Sequence, residues 1–375
     1  MKIVLAPDKF KGSLTGFEFC DIVAEALHTV HLTAKILKLP LSDGGDGTVD
    51  ILAYHLRGKK IEIEVKGPLF RPIKASYLYM ASVATAYIEM AEASGLKLLE
   101  KEVQNCMFTT TYGTGQLILD AIKKGAKTIV LGIGGSATTD CGIGMAAALG
   151  YEFLDENRQK VIPIGKNLDN IKTIATSPIT KQLQQVAFKV ACDVDNPLYG
   201  TEGAAFVYGA QKGASQYEIK ILDKGLKNIA GLFLNQFGID TQHIKGAGAA
   251  GGLGAGASVF LNAQLFSGIE LVKSLIGFDT KITGADWIIT GEGKLDNQTF
   301  LGKTISGVVT SANKQHIPVA ALCGSIAVQD KMIKSSGISY AAAILDRAEN
   351  IEDAMRNSGG YLFAIALDFA KKLRQ

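Results

Sequence analysis

Short apolar runs and amphipathic stretches alternate from the start of the chain. Lys2 to Ala6 is a short, mostly apolar run, and after a polar loop Thr15-Gly16-Phe17-Glu18 has the form of a capping box. Apolar residues at helical spacing then define one face of a predicted helix: Phe19, Val23, Leu27 and Val30. Ile36 to Leu39 predicts a second strand, and a second helix follows the loop Ser42 to Gly47. This recurring order of strand, loop and helix is typical of a parallel sheet with crossover helices.

The same order of elements returns near the C-terminus. Three apolar runs predict strands and two amphipathic runs predict helices: Asp286–Thr290, Pro318–Cys323 and Tyr340–Ile344, then Thr304–Ala312 and Tyr361–Leu373. Neither end of the chain has enough strands for a stable sheet, but together they supply five. We therefore predict an α/β fold in which residues 1–62 and 284–375 form one discontinuous, doubly wound parallel-sheet domain of the flavodoxin or Rossmann type.

Residues 63–283 differ from the two ends of the chain in their pattern of apolar and polar positions. They are predicted to form a second α/β domain inserted into the first. The runs Ile61–Val65, Ile73–Met80 and Ala86–Ala91 favour strands, and Thr128–Ile133 is a strand that leads directly into a glycine-rich loop. Ligands often bind at the interface between two domains. The active site is therefore predicted in the cleft between these two.

Composition excludes several classes of protein. The 39 Lys and Arg residues are spread among 36 acidic residues, for a net charge of +3, so no basic stripe points to nucleic acid. The five cysteines are scattered without a Cys-x-x-Cys pair, which favours reduced thiols over disulfides or a zinc site. The first apolar run is too short for a signal peptide, and no segment has the composition of a membrane span. A cytoplasmic enzyme with neither nucleic-acid nor membrane partners is the expected class.

Glycine-rich loops follow several predicted strands. In Gly132 to Gly142 a strand ends, glycines open the backbone and a helix begins, so amides and the hydroxyl groups of Ser136, Thr138 and Thr139 can meet an anion. A tight strand-to-helix turn explains this pattern equally well. The run Gly246-Ala247-Gly248-Ala249-Ala250-Gly251 matches a dinucleotide fingerprint, but the segment before it is not a convincing strand. Close helix packing is therefore the favoured reading of that run.

Charged residues stand beside glycine or proline in two further runs. Asn297–Thr304 resembles a P-loop, but Asn297 occupies the position of the first glycine, so the P-loop reading fails. Asp193-Val194-Asp195-Asn196-Pro197 follows the apolar run Val186–Cys192 and places two carboxylates at the end of a strand. These carboxylates suit a metal ion or a general base, and an Asx turn before the proline explains them about equally well.

No histidine has metal-ligand spacing and no Gly-x-Ser-x-Gly run occurs, which argues against zinc catalysis and Ser-His-Asp hydrolysis.

Five ordered runs carry a resemblance that spans essentially the whole chain. They read Ala6-Pro7-Asp8-Lys9-Phe10-Lys11-Gly12-Ser13, Ser42-Asp43-Gly44-Gly45-Asp46-Gly47, Gly134-Gly135-Ser136-Ala137-Thr138-Thr139-Asp140, Asp193-Val194-Asp195-Asn196-Pro197-Leu198 and Gly291-Glu292-Gly293-Lys294-Leu295-Asp296. Together they resemble the bacterial glycerate kinase family, which is unrelated to P-loop kinases and in which serine is common at the position of Lys9. The resemblance implies a two-domain transferase of glycerate metabolism that uses ATP and Mg²⁺ to phosphorylate D-glycerate. The expected product is 2-phosphoglycerate, and the sequence leaves the 3-hydroxyl open.

The resemblance also implies roles for individual residues. The expected catalytic residues are Asp193, Asp296 and Lys294, and the expected metal ligands are Asp193, Asp195 and Asp43. Glycerate is expected to bind Asp8, Lys11, Ser13 and Arg71, the last because a guanidinium fork suits a carboxylate. The phosphates of ATP are expected at Gly134, Gly135, Ser136, Thr138, Gly291, Glu292 and Gly293. Which carboxylate is the base, and whether the protein is a homodimer, stay open.

Two other classes of function fit part of the sequence. A sensor of glycerate or a sugar acid would bind the same ligand without turnover, but a two-ligand cleft lined with carboxylates is more than a sensor needs. An NAD-linked oxidoreductase would depend on Gly246–Gly251, whose context is poor. Release of ADP in the presence of D-glycerate separates a kinase from both.

Overall fold

The computed structural model describes residues 1–45, 47–178, 180–300 and 303–373, with Gln298 described by its backbone alone. Outside the described residues lie Asp46 of the second glycine-rich run, Leu301 and Gly302 of the run that resembles a P-loop, and Arg374 and Gln375 of the predicted C-terminal segment. The chain divides into two compact units. We call Met1–Asp43 with Ile269–Gln375 the terminal unit, and Gly44–Gly268 the inserted unit.

Strands and helices are numbered in chain order. The strands are β1 (Lys2–Leu5), β2 (Lys35–Lys38), β3 (Lys59–Lys66), β4 (Pro72–Met80), β5 (Thr85–Glu89), β6 (Thr128–Gly132), β7 (Tyr151–Leu154), β8 (Thr173–Thr176), β9 (Ala187–Ala191), β10 (Gln264–Phe266), β11 (Trp287–Thr290), β12 (Lys294–Leu295), β13 (Val319–Cys323), β14 (Ser325–Ile326) and β15 (Ile338–Ala343). The α-helices are α1 (Gly16–Val30), α2 (Thr48–Leu56), α3 (Ala91–Ser94), α4 (Tyr112–Lys123), α5 (Ile143–Ala148), α6 (Thr180–Leu183), α7 (Ala204–Tyr208), α8 (Gln216–Phe237), α9 (Ala249–Phe260), α10 (Gly268–Ile276), α11 (Phe278–Lys281), α12 (Thr304–Lys314), α13 (Asp330–Ser335), α14 (Ile351–Arg356) and α15 (Ser358–Lys372). Short 3₁₀ turns are Ala81–Val83, Leu96–Leu98, Lys101–Val103, Gly165–Asn170, Ala210–Lys212, Thr241–His243 and Asn297–Phe300.

A parallel sheet of five strands forms the centre of the terminal unit, in the order β15-β13-β11-β1-β2. Ile3, Val4 and Leu5 of β1 are all fully buried, although side chains of adjacent residues point to opposite faces of a strand. Both faces of the sheet are therefore covered, as in doubly wound proteins. Counted along the unit, the strand order is 2-1-3-4-5, the flavodoxin-type order, and its switch point lies between β1 and β11.

Helix α1 begins at the predicted capping box. The amide of Glu18 donates to Thr15 Oγ1 at 3.1 Å, and the amide of Thr15 donates to Glu18 Oε2 at 2.8 Å. The predicted apolar face, from Phe19 to Leu27, enters a core shared with α15 and β1. Helix α15 reaches the same core through Phe369, whose ring centroid lies 5.1 Å from that of Trp287. The two ends of the chain thus build one core.

The inserted unit has a sheet and a core of its own. Its six strands follow the order β10-β9-β6-β5-β4-β3, in which β3, β4 and β5 pair antiparallel, whereas β5, β6, β9 and β10 pair parallel. The core of this unit runs from Val65 to Ala263 along the chain. The mixed α/β fold class is therefore confirmed.

The bounds of the two units differ from the predicted residues 62 and 284. Helix α2 packs against β4 and β5, and the amide of Val49 donates to Glu89 Oε1 at 2.8 Å, so residues 44–62 belong to the inserted unit. In α10, Lys273 Nζ donates to the carbonyl of Gly307 at 2.9 Å, and Ile269 packs against Gly307, so residues 269–283 belong to the terminal unit. Apolar periodicity identifies a helix, but it does not say which sheet the helix covers.

Candidate active site

The loops that follow β1 and β11 are joined at the switch point of the sheet. The amide of Ala6 donates to the carbonyl of Ile289, and the amide of Asp8 donates to the carbonyl of Gly291, each at 2.8 Å. A Cβ at Gly291 would stand 2.1 Å from the carbonyl oxygen of Leu322, so only glycine fits this close approach. In open α/β sheets, ligands bind outside the carboxyl ends of the strands at such a switch point.

A cavity of about 430 Å³ opens beside these two loops, within the terminal unit. The loop after β1 and its neighbours supply Asp8, Lys9, Phe10, Lys11, Ser13 and Asp43, and the loop after β11 with the start of α12 supplies Glu292, Gly293, Lys294 and Lys303. The remaining wall consists of Gly324, Ser325, Ile344, Leu345, Ile351, Ala354, Met355 and Ser358. Acidic and basic side chains thus line one side of the cavity, and mainly apolar side chains line the other.

Asp8 is held at the polar side of this cavity. Its Oδ1 accepts a hydrogen bond from the Lys9 amide at 2.7 Å, and its Oδ2 accepts one from the hydroxyl of Thr304, the first residue of α12. Burial and the nearby charge of Asp43 outweigh these hydrogen bonds and raise the pKa of Asp8 to about 6. Asp8 therefore changes its charge a little below neutral pH.

Glu292 is the second carboxyl group of the cavity with a raised pKa. Burial first, and then the charges of Asp8 and Asp296, raise its pKa to about 7, although the hydroxyl of Thr299 donates to Glu292 Oε1. Close by, Lys294 Nζ lies 3.6 Å from Asp296 Oδ2. Two carboxyl groups that titrate near neutrality therefore share a cavity with several lysines, an arrangement common at functional sites.

Carboxylates of the cavity do not by themselves form a metal cage. Over the described ranges, no three Asp, Glu, His or Cys side chains are grouped closely enough to hold an ion. The predicted metal ligands lie in both units, with Asp43 in the terminal unit and Asp193 and Asp195 in the inserted unit. Their role as metal ligands stays a prediction.

Buried polar groups form hydrogen bonds that hold the glycine-rich loop after β6 in place. Lys212 Nζ donates to Ser136 Oγ and to the carbonyl of Thr138, each at 2.7 Å, and burial lowers the pKa of this lysine to about 8. The carboxylate of the buried Asp140 accepts hydrogen bonds from the amide and the hydroxyl of Thr111, each at 2.8 Å. The hydroxyl of Ser136 and the carbonyl of Thr138 therefore hold the loop together, whereas Gly134 and Gly135 are exposed.

The loop after β9 places Asp193 and Asp195 at the surface of the inserted unit. Asp193 Oδ1 accepts a hydrogen bond from the amide of Gly268, the first residue of α10, at 2.8 Å. One oxygen of this carboxylate thus has a structural partner in a different segment of the chain, which the Asx-turn reading did not anticipate. The catalytic role of Asp193 stays a prediction.

The run Gly246–Gly251 is packed against backbone and does not form a dinucleotide loop. It follows a 3₁₀ turn, and a Cβ at Gly248 or Gly251 would stand within 2.2 Å of the carbonyl oxygen of Pro197 or Thr138. The backbone at Ala250, Gly251 and Gly252 is left-handed, which interrupts α9. The packing reading of these glycines therefore accounts for their positions.

The structure brings together seven of the predicted site residues at the cavity: Asp8, Lys11, Ser13, Asp43, Glu292, Gly293 and Lys294. Gly291 and Asp296 adjoin them through the contacts described above, whereas Arg71 is exposed in the turn between β3 and β4 of the inserted unit. Sequence reasoning missed Ile351 and Met355 of the apolar wall, and Lys212, which hydrogen-bonds the glycine-rich loop. No motif marked these residues. The roles assigned to all the predicted residues, and the placement of the site in a cleft between domains, stay predictions.

A doubly wound sheet with a charged cavity at its switch point defines an α/β protein with a candidate site for a small ligand. The model of the glycerate kinase family matches residues 3–374. A glycerate kinase from Halalkalibacterium halodurans is 42% identical over 368 residues, 98% of this chain and 97% of the relative. The glycerate 2-kinase of Escherichia coli K12 is 38% identical over 358 residues, 96% of this chain and 94% of the relative. A crystal structure from Salmonella typhimurium LT2, assigned provisionally as glycerate kinase 2, is 37% identical, with a TM-score of 0.89 over 100% of this chain and 98% of that one.

This chain therefore belongs to the glycerate kinase family, and the predictions of its family and of an enzyme are confirmed. Each helix in the described part of the chain is too short or too polar to cross a membrane.

Proposed function

We propose that this protein transfers the terminal phosphoryl group of ATP to the 2-hydroxyl of D-glycerate. The observation that carries the proposal is the cavity at the switch point, which is lined by lysines together with two carboxyl groups of near-neutral pKa. The relatives named glycerate kinase support the substrate, and the relative named glycerate 2-kinase supports the position of transfer. A cytoplasmic location and a homodimer remain predictions.

Lysines of the cavity suit the charge that phosphoryl transfer must handle. Negative charge is spread over the transferred phosphoryl group and the leaving ADP, so fixed cations stabilise the transition state. Lys294 and Lys303 come from the loop after β11 and the start of α12, and Lys11 comes from the loop after β1. We assign Lys294 and Lys303 to the phosphates and Lys11 to the carboxylate of glycerate.

The 2-hydroxyl must lose its proton as it attacks the phosphorus atom. Asp193 is the proposed proton acceptor or metal ligand, and either role requires its negative charge. Asp296 is the next candidate, because it holds Lys294 and lies near Glu292. Glu292 itself must be ionised to pair with lysines, and its pKa of about 7 means that this pairing weakens in acid.

Magnesium fits the donor set of the terminal unit in part. Mg²⁺ in kinases is usually held by one or two carboxylates, with phosphate oxygens and water completing the shell, so a three-residue protein cage is not needed. Asp8 and Asp43 line the same cavity, and two carboxylates are within the number that Mg²⁺ usually takes from a protein at such sites. The ion would neutralise part of the phosphate charge.

A coupled assay tests the proposal directly. With ATP, Mg²⁺ and D-glycerate we expect stoichiometric release of ADP, and phosphorus NMR should identify the product as 2-phosphoglycerate. No release of ADP above the rate without glycerate would remove the proposed function. Formation of 3-phosphoglycerate would remove only the position of transfer.

A further inference from the structure

One wall of the cavity is apolar. Glycerate carries a polar group on each of its three carbons, so it has no apolar part to pack against this wall. Ile351 and Met355 of α14 are 66% and 46% exposed although they line the cavity, and the partly exposed Leu345 extends the same surface. Met355 Cε lies 3.1 Å from where a Cβ on Gly12 would stand, so its methyl group reaches the loop after β1. A surface of this kind fits a flat, largely apolar group.

Along the carboxyl edge of the sheet, the residues that line the cavity change from apolar after β15 to charged after β11 and β1. Ile344 and Leu345 follow β15, Gly324 and Ser325 follow β13, Glu292 to Lys294 follow β11, and Asp8 to Lys11 follow β1. Because β15, β13, β11 and β1 are successive neighbours, the path crosses three inter-strand spacings, about 14 Å at roughly 4.8 Å each. An extended nucleotide can span this length from base to phosphate, whereas glycerate cannot.

We infer that the cavity of the terminal unit is the ATP site, with adenine against the apolar wall of Leu345, Ile351 and Met355. The ribose then lies beside Gly324 and Ser325, and the phosphates reach Lys294 and Lys303 at the start of α12. This inference rests on the proposed function for the identity of the nucleotide. It assigns the base to residues that no sequence motif marks.

Two methionines of the terminal unit allow a matched test. Met355 is 46% exposed and lines the cavity, whereas Met332 of α13 is 43% exposed and is not among the lining residues. Met355→Ser removes apolar contact with adenine, so the Kd for ADP measured by calorimetry should rise about tenfold. Met332→Ser should leave the Kd unchanged. Inorganic tripolyphosphate has no base, so its Kd should be the same in both variants and in the parent.

An unchanged ADP affinity in a folded Met355→Ser protein would overturn the inference, as would equal weakening of ADP and tripolyphosphate. Ile351→Ser, at a position 66% exposed, provides a second variant should Met355→Ser melt below the parent. In turnover assays the KM for ATP should rise, while the KM for glycerate stays within about twofold. Binding of ADP without glycerate-dependent turnover in the parent would remove the proposed function and leave the nucleotide site standing, so the two failures are distinguishable.

Discussion

Asp193 is exposed and already uses one oxygen of its carboxylate to bind the amide of Gly268. Asparagine at this position can accept the same hydrogen bond through its own Oδ1, but it carries no charge and is not basic. We therefore expect Asp193→Asn to keep the parental melting temperature and to lower kcat by roughly 10²-fold or more. Steady-state kinetics and thermal unfolding measure the two effects.

A matched control exists within the same unit. Asp223 Oδ1 accepts a hydrogen bond from the amide of Gly200 at 2.7 Å, the same kind of contact that Asp193 makes with Gly268. Asp223→Asn should leave kcat within a few-fold of the parent. If Asp193→Asn behaves like this control, Asp193 has a structural role and Asp296 becomes the next candidate for the base.

Asp8 makes the stability of the terminal unit depend on pH. Its pKa is raised from 3.8 to about 6 in the fold, so the folded protein disfavours the ionised carboxylate. The stability gained from holding the proton is complete below about pH 4 and is lost as the pH rises through about 6. Asp8→Asn should therefore raise the melting temperature at pH 8 and change it little at pH 4.

The hydrogen bonds of Asp8 survive this substitution, because an asparagine oxygen can accept from the Lys9 amide and its NH₂ group can donate to Thr304 Oγ1. Glu18 has the opposite effect on the pH dependence of stability, because hydrogen bonds from the backbone and the side chain of Thr15 lower its pKa. Glu18→Gln should cost stability at pH 8 and less in acid. A fall in melting temperature for Asp8→Asn at pH 8 would contradict the account of its pKa.

Residues of the polar side of the site could be predicted because parallel strands end at one edge of a sheet. Asp8 and Glu292 follow two predicted strands, and the pairing of β1 with β11 brings them together. Met355 and Lys212 could not be predicted in this way. Met355 belongs to a helix of six residues without a motif, and Lys212 meets Ser136 only because of the tertiary fold. Such contacts depend on packing between distant segments, which periodicity does not encode.

Glycines within helices differ in what surrounds them. At Gly254 of α9, a Cβ would stand 2.1 Å from the carbonyl oxygen of Gly246, whereas at Gly231 of α8 nothing lies within 4 Å. Alanine at position 231 should raise the free energy of unfolding by about 0.5–1 kcal/mol, because it restricts the unfolded chain and favours the helix. Alanine at position 254 should lower it by about 2 kcal/mol or more, because backbone must shift. Denaturant unfolding of the two variants measures this difference.

At the level of elements, the sequence identified the five strands of the terminal sheet to within about two residues. Apolar runs such as Pro318–Cys323 are buried on both faces, so they stand out from their polar surroundings. The assignment of α2 and α10 to a unit was beyond the sequence, because it depends on contacts such as Val49 with Glu89 and Lys273 with Gly307. Equal free energies of unfolding for the Gly231→Ala and Gly254→Ala variants would contradict the packing described for α9.

The inserted unit is continuous in sequence and has its own core, so it should fold by itself. A fragment of residues 44–268 should unfold in one cooperative thermal transition, monitored by circular dichroism. A fragment cut at the sequence-predicted bounds, residues 63–283, lacks α2 and the first residues of β3 and should melt at a lower temperature. Equal melting temperatures would show that α2 contributes little to this unit.

The terminal unit, in contrast to the inserted unit, is built from two segments that lie far apart in the sequence. Its neighbouring strands β1 and β11 pair Ile3 with Trp287, so partners in the sheet are 284 positions apart. During translation at roughly 5–20 residues per second, β1 leaves the ribosome about 15 seconds to a minute before its partner exists. The first strand to be synthesised must therefore wait with one edge unpaired while the entire inserted unit emerges. Until β11 emerges, the unpaired edge of β1 can pair with another chain, so the nascent protein must avoid such contacts or have this edge covered by a chaperone.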